Sequence, residues 1–177
     1  QGAGGQLRSL PLTPCHSSPF ARKTLLHNLM NWTFIPQIGF SHDNLEVNLG
    51  CGRDELRTLL EPAFSAPELN SSYPDEDDFH SNDGSTFIRV RYKDEAVKDL
   101  EFLSGFLSYD GIQLHRSSDL TTVREAFEAL GHPFRPTRWL GDGSDCESLG
   151  FNIASREDIG GDDDAIEWFI ISQDFTE

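Results

Sequence analysis

Residues 44–60, Asn-Leu-Glu-Val-Asn-Leu-Gly-Cys-Gly-Arg-Asp-Glu-Leu-Arg-Thr-Leu-Leu, change period half-way along. Leu45, Val47 and Leu49 alternate with Asn44, Glu46 and Asn48, the two-residue repeat of a strand with one buried face. Gly50-Cys51-Gly52 turns the chain. Beyond it Leu56, Leu59 and Leu60 fall on one face of a helix. Asp54 and Glu55 occupy its first turn, where carboxylates suit the exposed amides, and Pro62 ends it. A strand that passes through a glycine turn into a short amphipathic helix predicts an α+β fold.

Downstream, residues 66–84 are polar, carry Pro67, Pro74 and the run Asp75-Glu76-Asp77-Asp78, and read as a loop. Residues 86–92 alternate again, with Ile88, Val90 and Tyr92 on one side and Phe87, Arg89 and Arg91 on the other. Lys93-Asp94-Glu95 turns a hairpin whose return strand is 97–103. The order then recurs. Residues 111–114 form a short strand. Asp119 caps a helix whose stripe is Leu120, Val123, Phe127 and Leu130, and Gly131 closes it. A loop with Pro133 and Pro136 follows, then strands 149–155 and 165–171, joined by a segment ending Gly160-Gly161-Asp162-Asp163-Asp164.

Strand, helix, long loop, hairpin thus occurs twice. The sequence predicts two similar β-α-β-β units, 34–104 and 109–171, forming antiparallel sheet or sheets with the helices packed on one face. Neither unit has enough apolar surface to stand alone. Residues 104–111 are too apolar for a free linker, so 30–177 reads as a single domain. On the last strand, Trp168, Ile166 and Ile170 read as the core face. Phe169 and Ile171 then point the other way.

Outward from this body, residues 1–29 have no acid and are broken by Gly2, Gly4, Gly5, Pro11, Pro14 and Pro19. They read as a leader, tag or poorly ordered extension ahead of Met30, the single methionine. The chain carries 14 Lys plus Arg against 30 Asp plus Glu, net -16. Arg8, Arg22 and Lys23 lie in the first segment, so 30–177 holds 11 basic and 30 acidic residues, net -19. Such a body repels nucleic acid and anionic membrane and attracts a basic partner. Nothing approaches a membrane span of eighteen apolar residues. Cys15, Cys51 and Cys146 match no metal or redox spacing. An odd count points to a reducing compartment.

The Gly-x-x-x-x-Gly-Lys, His-Glu-x-x-His and Gly-x-Ser-x-Gly motifs are absent, and neither an enzyme nor a cofactor is expected. Two alternatives stay open. One is a small hydrolase using His80 with Asp77 or Asp78 as acid and base. The other is an acidic-loop module for a divalent metal, built on Asp75, Asp77, Asp78 and Asp83 or on Asp158, Asp162, Asp163 and Asp164, although neither run fits the twelve-residue calcium loop. Arg89 and Arg91 are expected to pair across the hairpin with Glu101 or Asp99. Trp139, between Arg138 and the Gly141-Asp142 turn, reads as an interface anchor or as a plug over the core edge.

Phe34-Ile35-Pro36-Gln37-Ile38-Gly39, followed by Leu49-Gly50-Cys51-Gly52-Arg53-Asp54-Glu55-Leu56-Arg57-Thr58-Leu59-Leu60, resembles the opening of small bacterial immunity proteins of polymorphic toxin systems. Ile88-Arg89-Val90-Arg91-Tyr92, Tyr109-Asp110-Gly111-Ile112-Gln113-Leu114 and the helix ending in Gly131-His132 are similar to later parts of that group. The likeness runs over most of 34–170. It departs at Gly52, where the pattern has a capping Ser or Thr, and at Glu61, where it has Gly. The resemblance implies a cytoplasmic protein that binds the catalytic domain of a cognate toxin and blocks it without catalysis of its own. Electrostatics suit such a role, because a negative body is steered onto a basic surface. The contact residues expected are Asp75, Glu76, Asp77, Asp78, Trp139, Asp142, Asp162, Asp163 and Asp164.

Overall fold

A computed structural model describes residues 30–69 and 71–176; the reading of 1–29 lies outside the described residues. The chain begins with a meander of β1 (Asn31–Ile35), β2 (Gly39–His42) and β3 (Leu45–Asn48), which leads into α1 (Arg53–Leu60). Strands β4 (Glu68–Leu69), β5 (Glu76–His80), β6 (Phe87–Lys93) and β7 (Ala96–Ser104) follow. Then β8 (Phe106–Tyr109) and β9 (Ile112–Gln113) lead into α2 (Leu120–Ala129). The last strands are β10 (Arg135–Pro136), β11 (Ser144–Cys146), β12 (Phe151–Ser155) and β13 (Ile166–Ser172).

The strands before each helix and those after it enter different sheets. Among the described residues a small five-stranded sheet has the order β3-β2-β1-β8-β9, and a large eight-stranded sheet the order β10-β11-β12-β13-β7-β6-β5-β4. In the small sheet β1 and β8 run parallel. The large sheet is antiparallel throughout, its two halves meeting where β13 pairs with β7.

The core lies between the sheets. Phe34 and Phe40 of the small sheet stand against Phe169 and Phe102 of the large one, ring centroids 5.0 and 5.5 Å apart. Edge-on contacts of this kind add about 0.5–1.5 kcal/mol beyond area burial. Phe127 of α2 packs on Phe151, and Leu56 and Leu60 of α1 are fully buried. The fold is α+β, with both helices and the small sheet on one side of the large sheet. The other face of the large sheet is left outside the core.

The local signals explain most boundaries. Gly52 is the extended N-cap of α1 and offers no side-chain bond, whereas the Asp119 carboxylate accepts from Thr122 N at 2.8 Å at the start of α2. The Asp164 carboxylate accepts from Thr121 N in the same turn, also at 2.8 Å. Gly131 follows α2 with φ 86°, a conformation that suits a residue without Cβ.

Several expectations need correction. Each helix is flanked by more strands than a β-α-β-β unit allows, because β1 and β2 precede β3 and because β4, β5, β10 and β11 lie beyond the hairpins. Residues 66–84 are not simply a loop, since they contain β4 and β5. Phe169 and Ile171 face the core and are fully buried, while Trp168 points outward. Phe169 is registered with Phe102 and Ile153, and Ile170 with Glu101 and Asn152. A bulge at Ala154/Ser155 lets Ile166 turn to the core side all the same. Cys146 is a buried free thiol. No helix among the described residues is long and apolar enough to cross a membrane.

Candidate binding face

Strand alternation sorts the acidic run of β5 onto two sides. Asp77 and Phe79 point inward; Glu76, Asp78 and His80 point outward. On the inward side Asp77 is 0% exposed and is enclosed by α1. Arg53 and Arg57 lie four residues apart on the helix, so one face presents both guanidiniums. Arg53 Nη2 donates to Asp77 Oδ1 at 2.7 Å, and Arg57 donates through Nε and Nη2 at 2.8 Å each. Tyr92 OH adds a bond at 3.0 Å. Burial pushes the Asp77 carboxyl up, but the bonds from Arg57, Arg53 and Tyr92 outweigh it and hold it below the usual carboxylate range. In turn, burial beside this carboxylate raises the Tyr92 phenol. This cluster ties α1 to the large sheet.

The outward side carries a second network. Register places Glu76 opposite Arg91, Asp78 opposite Arg89 and Arg89 opposite Glu101. Arg89 Nε lies 2.8 Å from Asp78 and 3.1 Å from Glu76. Arg91 reaches Glu76 at 3.0 Å and Glu101 at 3.2 Å. The result is a ladder of alternating charge across β5, β6 and β7. Arg91 meets the expected partner Glu101; Asp99 instead accepts from Ser172 Oγ. The bond to Asp78 raises the Arg89 guanidinium, and burial raises the Glu101 carboxyl above its ordinary range.

Beside the ladder, at the Glu76–Arg91 end, a cavity of about 620 Å³ opens on the outer face. Tyr73, Asp75, Arg91, Lys98 and Asp99 help to line it, and Tyr73 is 62% exposed. At the other end of the sheet, Asn152 bonds the buried Asp145 at 2.9 Å and accepts from Trp168 Nε1 at 3.0 Å. The segment 137–142 folds over this pair: Arg138 N donates to Asp145, and Asn152 reaches the Asp142 carbonyl.

The expected contact residues therefore separate. Asp75, Asp142 and Asp162 are exposed. Glu76 and Asp77 are buried, each answered by arginine, and Asp78 is mostly covered by its bond to Arg89. Asp163 pairs with Arg156 at 3.0 Å, and Asp164 is turned to the start of α2. Trp139 is half-buried, stacked on Phe175 with centroids 4.3 Å apart and with the Arg138 guanidinium 4.8 Å above its ring. His80 stacks on Phe87 at 4.2 Å, on the side of the strand opposite Asp77. No group of three or more His, Cys, Asp or Glu placed to hold a metal occurs among the described residues. Sequence reasoning did not anticipate Arg53, Arg57 and Tyr92 as partners of an acidic strand. Their signal was an i, i+4 arginine pair in a chain rich in carboxylates. No family model matches the chain, and neither a curated protein nor a solved structure matches it.

Proposed function

We propose that this chain is an immunity protein that binds and inhibits a cognate, basic toxin domain, and that the outer face of the large sheet is its binding surface. The observation that carries this reading is the state of the charges. Arg53, Arg57, Arg89, Arg91, Lys98, Arg116, Arg138 and Arg156 all pair with carboxylates of the chain itself. Few cations are left to oppose the exposed acids, Asp75, Asp142 and Asp162 among them. A surface of this kind presents net negative charge to a partner and attracts a cationic one. Over β12 and β13 the outer face is covered by residues 137–142 and the Gln173–Thr176 turn, but beside them the ladder of β5, β6 and β7 offers polar groups that can be buried in an interface with their bonds made.

The same reading takes the chain as a duplication. In the large sheet the strands after α1 and those after α2 run outward from the β7–β13 seam in mirrored order, which supports two related halves meeting at 104–109. Immunity of this sort acts in the cytoplasm. Neither the metal-module nor the hydrolase reading gains support: Asp77, Asp78, Asp83, Asp158, Asp163 and Asp164 accept bonds from donors of the chain itself, and the described residues bring no three such acids together around an ion.

The test is co-expression with the C-terminal domain of a large toxin encoded next to this gene, followed by titration of the purified pair. Rescue of growth and a one-to-one complex are expected, with affinity falling when Asp75 and Asp142 are changed to Lys. A purified toxin domain that this protein neither holds nor inhibits overturns the proposal.

A further inference from the structure

The cavity beside the charged ladder is open enough to admit a foreign group, and its chemistry favours one kind. Its cations are already held: Arg89 by Asp78 at 2.8 Å, Arg91 by Glu76 at 3.0 Å and Lys98 by Asp174 at 2.7 Å. Asp75 differs. Its backbone carbonyl accepts from Tyr92 N at 2.8 Å, while its carboxylate stands exposed without a Lys or Arg partner among the described residues. The carboxylates of Asp75 and Asp99, added to those holding the three cations, leave negative charge in excess around the cavity. A cleft with an unbalanced field concentrates ions of the opposite sign.

We infer that this cavity receives an arginine side chain of the partner, its guanidinium stacked on the Tyr73 ring and paired with the Asp75 carboxylate. The exposed face of Tyr73 supplies a π surface next to a free carboxylate, the two features a planar, weakly hydrated guanidinium uses together. A lysine ammonium gains less from the ring and loses more hydration. At about 620 Å³ the cavity lies within the roughly 300–1,000 Å³ of sites that enclose drug-sized ligands, so it holds the side chain with its flanking backbone. The inference rests on the proposed function for the identity of the partner, and it names the anchor of that interface.

The probe is acetyl-Gly-Arg-Gly-amide, titrated into the isotope-labelled chain and followed by amide shifts, with the lysine and glutamate peptides as controls. Shifts centred on Tyr73, Asp75, Arg91 and Lys98 are expected, with the lysine peptide weaker and the glutamate peptide silent. Tyr73→Ala and Asp75→Asn should each weaken the arginine peptide by roughly three- to tenfold, with urea midpoints unmoved because both residues are exposed. Absence of binding, shifts centred elsewhere, preference for glutamate, or unchanged affinity in both variants overturns the inference. The toxin pair separates the two proposals. If both variants hold the toxin as tightly as the parent, the cavity inference fails and the immunity reading stands. If the peptide enters the cavity but no toxin is held, the immunity reading fails alone.

Discussion

Asp77 and Asp75 are two residues apart and have opposite consequences when changed. Asp77 is 0% exposed and neutralises two guanidiniums, so Asp77→Ala strands both against the sheet. Removing one partner of a buried ion pair costs about 3–5 kcal/mol. Asp75→Asn, at the surface, should stay within about 0.5 kcal/mol. Urea denaturation of the two variants checks the contrast, and equal midpoints would contradict it. The pH dependence separates Asp77 from Glu101. The Asp77 carboxyl is held low in the fold. Its contribution is therefore complete above the unfolded value of about 3.9 and is lost as pH falls through the folded pKa. Glu101 has the reverse sign. Its folded pKa is raised by burial, so stability declines as pH climbs from the unfolded value of about 4.3 through the folded one. Glu101→Gln removes that decline. Its urea midpoint should match the parent's near pH 4 and exceed it at pH 7; a variant that loses ground as pH rises would mean that the Arg91 pairing outweighs burial.

Elements record the same tension between local preference and tertiary demand. The β6–β7 hairpin turns through Asp94 and Glu95 with φ of 52° and 61°, both left-handed. A two-residue turn of this hand matches the strand twist and suits Gly, Asn and Asp, so Asp94 fits and Glu95 does not. Glu95→Gly should therefore raise stability, by about 0.5–1 kcal/mol once the looser unfolded chain is allowed for; an unchanged or lowered melting temperature would count against it. Gly39 in β2 is required for another reason. A Cβ there would lie 1.9 Å from the Val47 carbonyl oxygen of β3. Gly39→Ala must part these strands, at a cost of about 1–3 kcal/mol or more, readable in the same melting experiment. Legibility in the sequence follows from where each signal resides. The change of period at 44–60, the Asp119 cap with Leu120, Val123 and Phe127, and the β6–β7 hairpin are local signals and appear where they were read, but Leu130, read as the end of the stripe, is the C-cap of α2 and 45% exposed. β5 was illegible because Glu76-Asp77-Asp78-Phe79-His80 has poor strand propensity and alternates only in its partners. What makes it a strand is arginine supplied by α1 and β6, a contact distant in sequence. The faces of β13 were misread because both carry large apolar side chains, and only register against β7 and β12 decides which is inside. Of the candidate site, the acids were legible as residues, but their separation into bonded and free carboxylates depends on that register.

For the whole molecule, the decisive quantity is the charge left after internal pairing. The chain carries net -16, and most of its described cations are already matched by carboxylates of the chain itself, so few unpaired cations stand among its exposed acids. On the proposed reading that arrangement would make two contributions to association with a basic partner. Long-range attraction speeds encounter and is screened over about 8 Å at physiological salt. Short-range contacts set the lifetime of the complex. Changes at exposed acids outside the cavity, such as Asp142→Asn or Asp162→Asn, should lower the association rate with the proposed basic partner and leave dissociation almost unaltered. Changes within the cavity, such as Tyr73→Ala, should act mainly on dissociation. Association measured from low to high salt should slow by roughly tenfold or more, and the rim variants should show a shallower dependence than the parent. A parent whose association rate ignores salt would remove electrostatic steering from the account, while leaving the pairing of Asp77 with α1 untouched.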